Sequence, residues 1–307
     1  MSVDHVIYIA SVGYSGSTLL EFQLGLHPEV ISLGEVTLLN RYLEEGANCT
    51  CGQKVSECEF WQSVEKDLKN KKGGHFRLKD FHLTPQNTKQ AIHRRLPRIH
   101  DFGLVIGSRA IWKICTTLDS QSEEYATSAS NTIDVFNSIA NVSGKKFIVD
   151  STKYALPMKA QHMQLGPRQK IIFLARDGRG TCRSLMRRKG FSMVEAANHW
   201  LRYNKNLKLA MMTVPNNKIY NLKYEDLCTN TEKVVEEIRN FCDMADIAMH
   251  SSMEKDSFHS IGGNPMRFRR DEKTVALDEK WKTELTQQDL VTFERIAGKF
   301  NRSLGYE

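Results

Sequence analysis

The chain has 307 residues, is 40% hydrophobic and carries a formal charge of +7, from 43 Lys and Arg against 36 Asp and Glu. That much apolar material fills the core of one large domain; the net positive charge and a pI near 9.0 suggest an anionic ligand, while charge that is spread and not blocked gives little sign of nucleic acid, and none is expected as a partner. No apolar run nears the roughly 18 residues that span a bilayer, Met1 leads into HVIYIA without a basic leader, and seven scattered cysteines suggest no disulfide framework, so a cytoplasmic protein is expected.

In chain order, apolar β-branched runs predict a strand at 6–10 (VIYIA), then a helix over 18–27, and a second strand at 30–33 (VISL). From about 41 to 145 the rhythm breaks: a polar, loop-rich stretch gives way to a helix over 122–142, which reads as a largely helical insertion. Strands are predicted at 146–149, 170–174 and 218–222, with helices over 155–165, 179–189 and 192–212 between them, and LTQQDLVTFERIAGKFNRSLGY predicts a closing helix. Strand and helix in alternation imply a single α/β domain over 1–307, with a mostly parallel central sheet and helices on both faces.

The first strand runs straight into Gly13-Tyr14-Ser15-Gly16-Ser17-Thr18 and then a helix, so backbone N–H groups and a helix N-terminus aim at one point, as in a P-loop anion cradle. The lysine of GxxxxGK[ST], which reaches the β and γ phosphates of a nucleoside triphosphate, is absent. Further on, Arg176 ends an apolar strand, where ligands of open α/β sheets bind. Ser184 and Arg188 follow at i and i+4 on the next helix and share one face. Cys49, Cys51 and Cys58 lie close together, with His75 downstream. C-x-C-x6-C lacks the second CxxC or HxxxH pair of a zinc site, so no metal is expected and a loop staple or packing role is the reading.

These motifs together resemble the PAPS-dependent sulfotransferases, in the branch that includes tyrosylprotein and carbohydrate sulfotransferases and bacterial relatives. GYSGSTLL resembles the family's 5′-phosphosulfate loop, HPEVISLGEV its next strand and glutamate, and FLARDGRGTCRSLMRR its 3′-phosphate element. More weakly, NLKYEDL and IGGNPMRFRR resemble a strand-end tyrosine and a late basic loop, marking Tyr224 and Arg267. The resemblance implies a P-loop-like sulfotransferase fold and PAPS as co-substrate, with Gly13, Tyr14, Ser15, Gly16, Ser17, Thr18, Arg176, Ser184, Arg188, Tyr224 and Arg267 around it. It also implies an in-line transfer to a hydroxyl acceptor with Glu35 as general base. One departure is Tyr14, which stands where the family usually has a basic residue; Lys153, in VDSTK, is the candidate for that charge. The acceptor, whether a glycan, a phenol or tyrosine, or a small-molecule alcohol, is not legible, nor is the oligomeric state. A P-loop kinase acting on a nucleoside or small molecule is the alternative, a non-catalytic nucleotide-binding protein a third, and His199 an alternative base.

Overall fold

A computed structural model describes residues 3–73, 77–84, 109–118, 120–250, 258–268 and 275–307. Its centre is a sheet of six parallel strands, β1 (His5–Ser11), β2 (Val30–Gly34), β3 (Phe147–Asp150), β4 (Gln169–Ala175), β5 (Ile219–Lys223) and β6 (Phe258–Ile261), in the order β5-β4-β1-β3-β2-β6. β1 pairs with β3 from His5↔Phe147 to Tyr8↔Asp150, and with β4 from Val6↔Gln169 to Ser11↔Leu174. β2 and β3 lie on one side of β1 and β4 and β5 on the other, so the winding of the parallel sheet reverses there, the kind of switch point at which such sheets bind ligands beside their strand ends.

The two faces follow from the period-2 alternation of a strand. On β1, Ile7 and Ile9 pack with Val149, Ile172 and Leu174 against Leu20 and Leu24 of the helix Ser17–Gly25 and Val234 and Ile238 of Thr231–Phe241. Tyr8 and Ala10 face the other way, against Met158 of Ala155–Leu165 and Leu207 and Met211 of Met193–Met211. Both faces are therefore covered by helices, which is why the strands read as continuous apolar runs.

The inserted helices Glu59–Lys72 and Ser120–Ser143 join the same core: Trp61, Val64, Phe136 and Ile139 pack with Val6, Ile31 and Ile148 of the sheet. Residues 85–108, in the middle of the insertion, lie outside the described ones.

Two features differ from the sequence reading. β6 is an additional edge strand, joined to β2 by Ser32↔Phe258 and Gly34↔Ile261. The closing helix is present as expected, unbroken over 287–303, and differs only in a π turn over Glu294–Gly298 between Gln287–Phe293 and Lys299–Ser303.

Candidate active site

Every strand delivers a predicted residue just past its carboxyl end: the glycine loop after β1, Glu35 after β2, Lys153 after β3, Arg176 after β4, Tyr224 after β5 and Arg267 after β6. A parallel sheet puts all those ends on one edge, so six segments distant in sequence share one crevice.

The loop turns sharply because Tyr14 and Gly16 both take left-handed backbone, with φ of 68° and 89°. Gly16 is needed twice over, since a Cβ there would also come within 2.4 Å of the Tyr224 ring. The helix then starts at Ser17, and the N–H groups of its first turn have no intrahelical acceptor, as at any helix start. Ser15, Ser17 and Thr18 are buried. The half-buried Tyr14 packs against the apolar cluster around Val12, Trp200 and Phe293, and its carbonyl accepts a bond from Arg176 Nη1 at 3.0 Å.

Arg176 is buried and tightly held. Its Nη2 donates to the Asp278 carbonyl at 2.7 Å and lies 3.2 Å from the Asp278 carboxylate, while the guanidinium stacks 4.4 Å from the centre of the Tyr224 ring. Burial pushes the Asp278 carboxyl up, but the charges and bonds of Arg176 and the charge of Arg183 outweigh it and hold the group below its ordinary value. Ser184 is close by: its hydroxyl donates to the Gly180 carbonyl at 3.0 Å, and Gly180 lies against the Arg176 side chain. Arg188, one turn further on, is exposed and is not drawn into this cluster. Arg183, on the same helix, is buried and paired with Glu284 and Asp278.

On the other side of the glycine loop, Glu35 emerges from β2 after Gly34, whose φ is 76°. A side chain at Gly34 would strike the Ile261 carbonyl of β6 at 2.1 Å, and that carbonyl accepts a bond from Glu35 N at 2.9 Å. Lys153, in left-handed backbone itself (φ 77°), donates through Nζ to Glu35 Oε1 at 2.5 Å. The Tyr42 hydroxyl donates to Glu35 Oε2. Burial pushes the Glu35 carboxyl up, yet the charge and hydrogen bond of Lys153, the bond from Tyr42 and the charge of Arg267 together hold it below the usual 4.5.

The loop after β6 closes this side. Asn264 N donates to Thr18 Oγ1 at 3.2 Å, and buried Arg267 donates from Nη1 to the Gly262 carbonyl at 2.5 Å and from Nη2 to that of Asn48 at 3.3 Å. Residues 269–270 of IGGNPMRFRR lie outside the described ones. Tyr42 and Asp278 were not legible as site residues: neither belongs to a motif, and each enters only because the fold folds its segment over a strand end. His199 stacks on Tyr203, with ring centres 4.3 Å apart, on the helix Met193–Met211.

A glycine loop, a buried strand-end arginine and a lysine-paired carboxylate thus gather around one edge of the sheet. Residues 7–247 match the Sulfotransferase family, and the chain belongs to that family. Its fold is similar to the sulfotransferase domain of the Synechococcus PCC 7002 olefin synthase (19% identity, 99% of this chain and 94% of that one, TM-score 0.52). It is likewise similar to the sulfotransferase domain from the curacin biosynthetic pathway (18% identity, 100% and 99% covered, TM-score 0.51). No curated protein matches the sequence. Among the described residues, no helix is long and apolar enough to cross a membrane.

Proposed function

We propose that the chain is an O-sulfotransferase that uses PAPS as donor substrate and Glu35 as general base. The observation that carries this reading is the placing of a 5′ cradle and a buried strand-end arginine on either side of Tyr224: the ring touches Gly16 and stacks on Arg176. Such a pair suits a nucleotide phosphorylated at both ends. At Gly13 a Cβ would meet nothing within 4 Å, so the cradle has room above it. The arginine's five donors outnumber the two carbonyls and one carboxylate it serves, and Ser184 lies beside it while Arg188 stays exposed one turn further on.

The donor brings a sulfuryl group on a phosphate leaving group, and the residues here do the rest by position and charge. The first-turn amides and the hydroxyls of Ser17 and Thr18 steady the 5′ phosphate. Glu35 takes the acceptor hydroxyl's proton as its oxygen bonds to sulfur. Lys153, 2.5 Å from Glu35, answers the negative charge that grows on the departing bridging oxygen, the task left open by Tyr14. The acceptor class, a glycan, phenol or small alcohol, is set by residues outside this constellation.

Calorimetry with 3′,5′-ADP and 5′-AMP tests the reading. Wild type should bind the first far more tightly. Arg176→Ala should lose charge-assisted bonds worth about 1.5–3 kcal/mol, one to two decades in Kd, for 3′,5′-ADP alone. Equal affinities of the wild type for the two ligands would remove the 3′ site and with it the assignment.

A further inference from the structure

Outside the active site, four metal-ligand side chains converge. Cys49 and Cys51 lie on a turn closed by the antiparallel bridge Asn48↔Lys54, Cys58 caps the helix Glu59–Lys72, and His259 is the second residue of β6. One ligand atom from each lies within 4.8 Å of all the others. His259 Nδ1 is 3.3 Å from Cys58 Sγ and 3.7 Å from Cys49 Sγ. A tetrahedron with Zn–S near 2.3 Å and Zn–N near 2.0–2.1 Å has edges of about 3.5–3.8 Å, so the spacing needs little adjustment. Cys49, Cys58 and His259 are buried and Cys51 is half-buried.

The surroundings support ligation. The Phe60 ring lies flat on His259, 4.5 Å between centres and 4° between planes, and Trp61 Nε1 donates to the His259 carbonyl at 3.3 Å. The imidazole is thus fixed by packing on one side and through its backbone on the other, as outer-shell partners fix metal-binding histidines. A disulfide between two of the cysteines would use half of this arrangement and leave the third thiol and the imidazole unexplained.

We propose that Cys49, Cys51, Cys58 and His259 bind a structural zinc ion. Four protein ligands leave no open position, so the ion is not a catalyst. Its place gives it a purpose: β6 has four residues, sits at the sheet edge, accepts a bond from Glu35 N through its Ile261 carbonyl and carries the loop that reaches Thr18. Arg267 bonds to the carbonyl of Asn48, next to the ligand Cys49. Zinc would clamp turn, helix and edge strand together and hold that loop over the cradle. The sequence reading expects no metal because its fourth ligand lies 201 residues beyond Cys58; His75, the nearer histidine, lies outside the described residues.

The test is metal analysis of the full chain purified without chelators, with Co(II) substitution on the same protein. The expected result is one zinc per chain, and for Co(II) the strong visible bands of a tetrahedral site with thiolate-to-metal charge transfer. Cys51→Ser, which alters the most exposed ligand, should weaken zinc at least about tenfold against a chromogenic chelator. Stripping the metal should lower the melting temperature of wild type. Folded protein that holds less than about 0.1 equivalent after incubation with zinc under reducing conditions overturns the proposal, as does a Co(II) spectrum without thiolate bands. Both of the latter readings need only the wild type, so a variant that fails to fold leaves the question decidable.

Discussion

At the scale of single residues, the proposed reaction rests on the Glu35–Lys153 pair. Glu35→Gln keeps the side chain's size and removes its basicity, so kcat should fall at least about a hundredfold while 3′,5′-ADP binding stays within a few-fold; turnover within tenfold of wild type would move the base to His199. The pair also sets the pH profile. A base must be ionised, and Glu35 is held below 4.5 by Lys153, Tyr42 and Arg267 against the opposing push of burial. Activity should therefore be lost only as pH falls through that lowered value, with kcat/KM flat across neutrality. Lys153→Met removes the largest favourable charge and leaves the burial, so the Glu35 carboxyl rises and the acid limb moves to higher pH along with the drop in kcat. Buried Asp150 is a built-in control: burial pushes it up to about 6 against the bonds from Thr152 and Gln161. A wild-type limb near 6 that Asp150→Asn abolishes would contradict the assignment to Glu35.

At the scale of elements, legibility tracked periodicity. The strand 5–11, the helix 155–165 and the helix 193–211 were readable because an apolar repeat with clear ends has one period, and Ser192 with Glu195 even marks the last of these by a capping box. β6 was not, because FHSI sets an adjacent histidine and serine between two apolar residues, with no period of its own, and their partners lie far away: His259 faces the cysteines and Ser260 Oγ donates to Glu21 at 2.6 Å. The glycine loop and Arg176 were legible as motifs, whereas the Glu35–Lys153 contact was not, since its halves follow different strands. Likewise nothing local told that Arg188 would stay exposed while Arg183 became buried. The closing helix has a sharper consequence. A methyl at Gly178 would lie 2.5 Å from Phe293 Cζ and 3.0 Å from the Trp200 ring, so Gly178→Ala should cost about 1–3 kcal/mol by overpacking, seen as a lower urea midpoint. Phe293→Leu in the same chain should return part of that loss; additive losses would mean the closing helix does not press on this site.

At the scale of the whole molecule, the question is whether the long insertion is a separate unit or part of the body that holds the active site. Phe136, on the helix Ser120–Ser143, is fully buried and belongs to the cluster that also contains Val6 of β1, Ile31 of β2 and Ile148 of β3. Those strands end in the cradle, Glu35 and Lys153. An insertion helix packed on the same strands cannot unfold without exposing their apolar face, so its loss and the loss of the site should be one event. Phe136→Ala should thus cost about 3–5 kcal/mol and shift a single urea transition, with far-UV circular dichroism and 3′,5′-ADP binding falling together. The contacts that residues 85–108 make do not enter this argument, because the cluster stands on described residues alone. If the mutant loses helical signal at low urea while still binding the nucleotide with wild-type affinity, the insertion is an independent layer and the crevice rests on the sheet and its other helices.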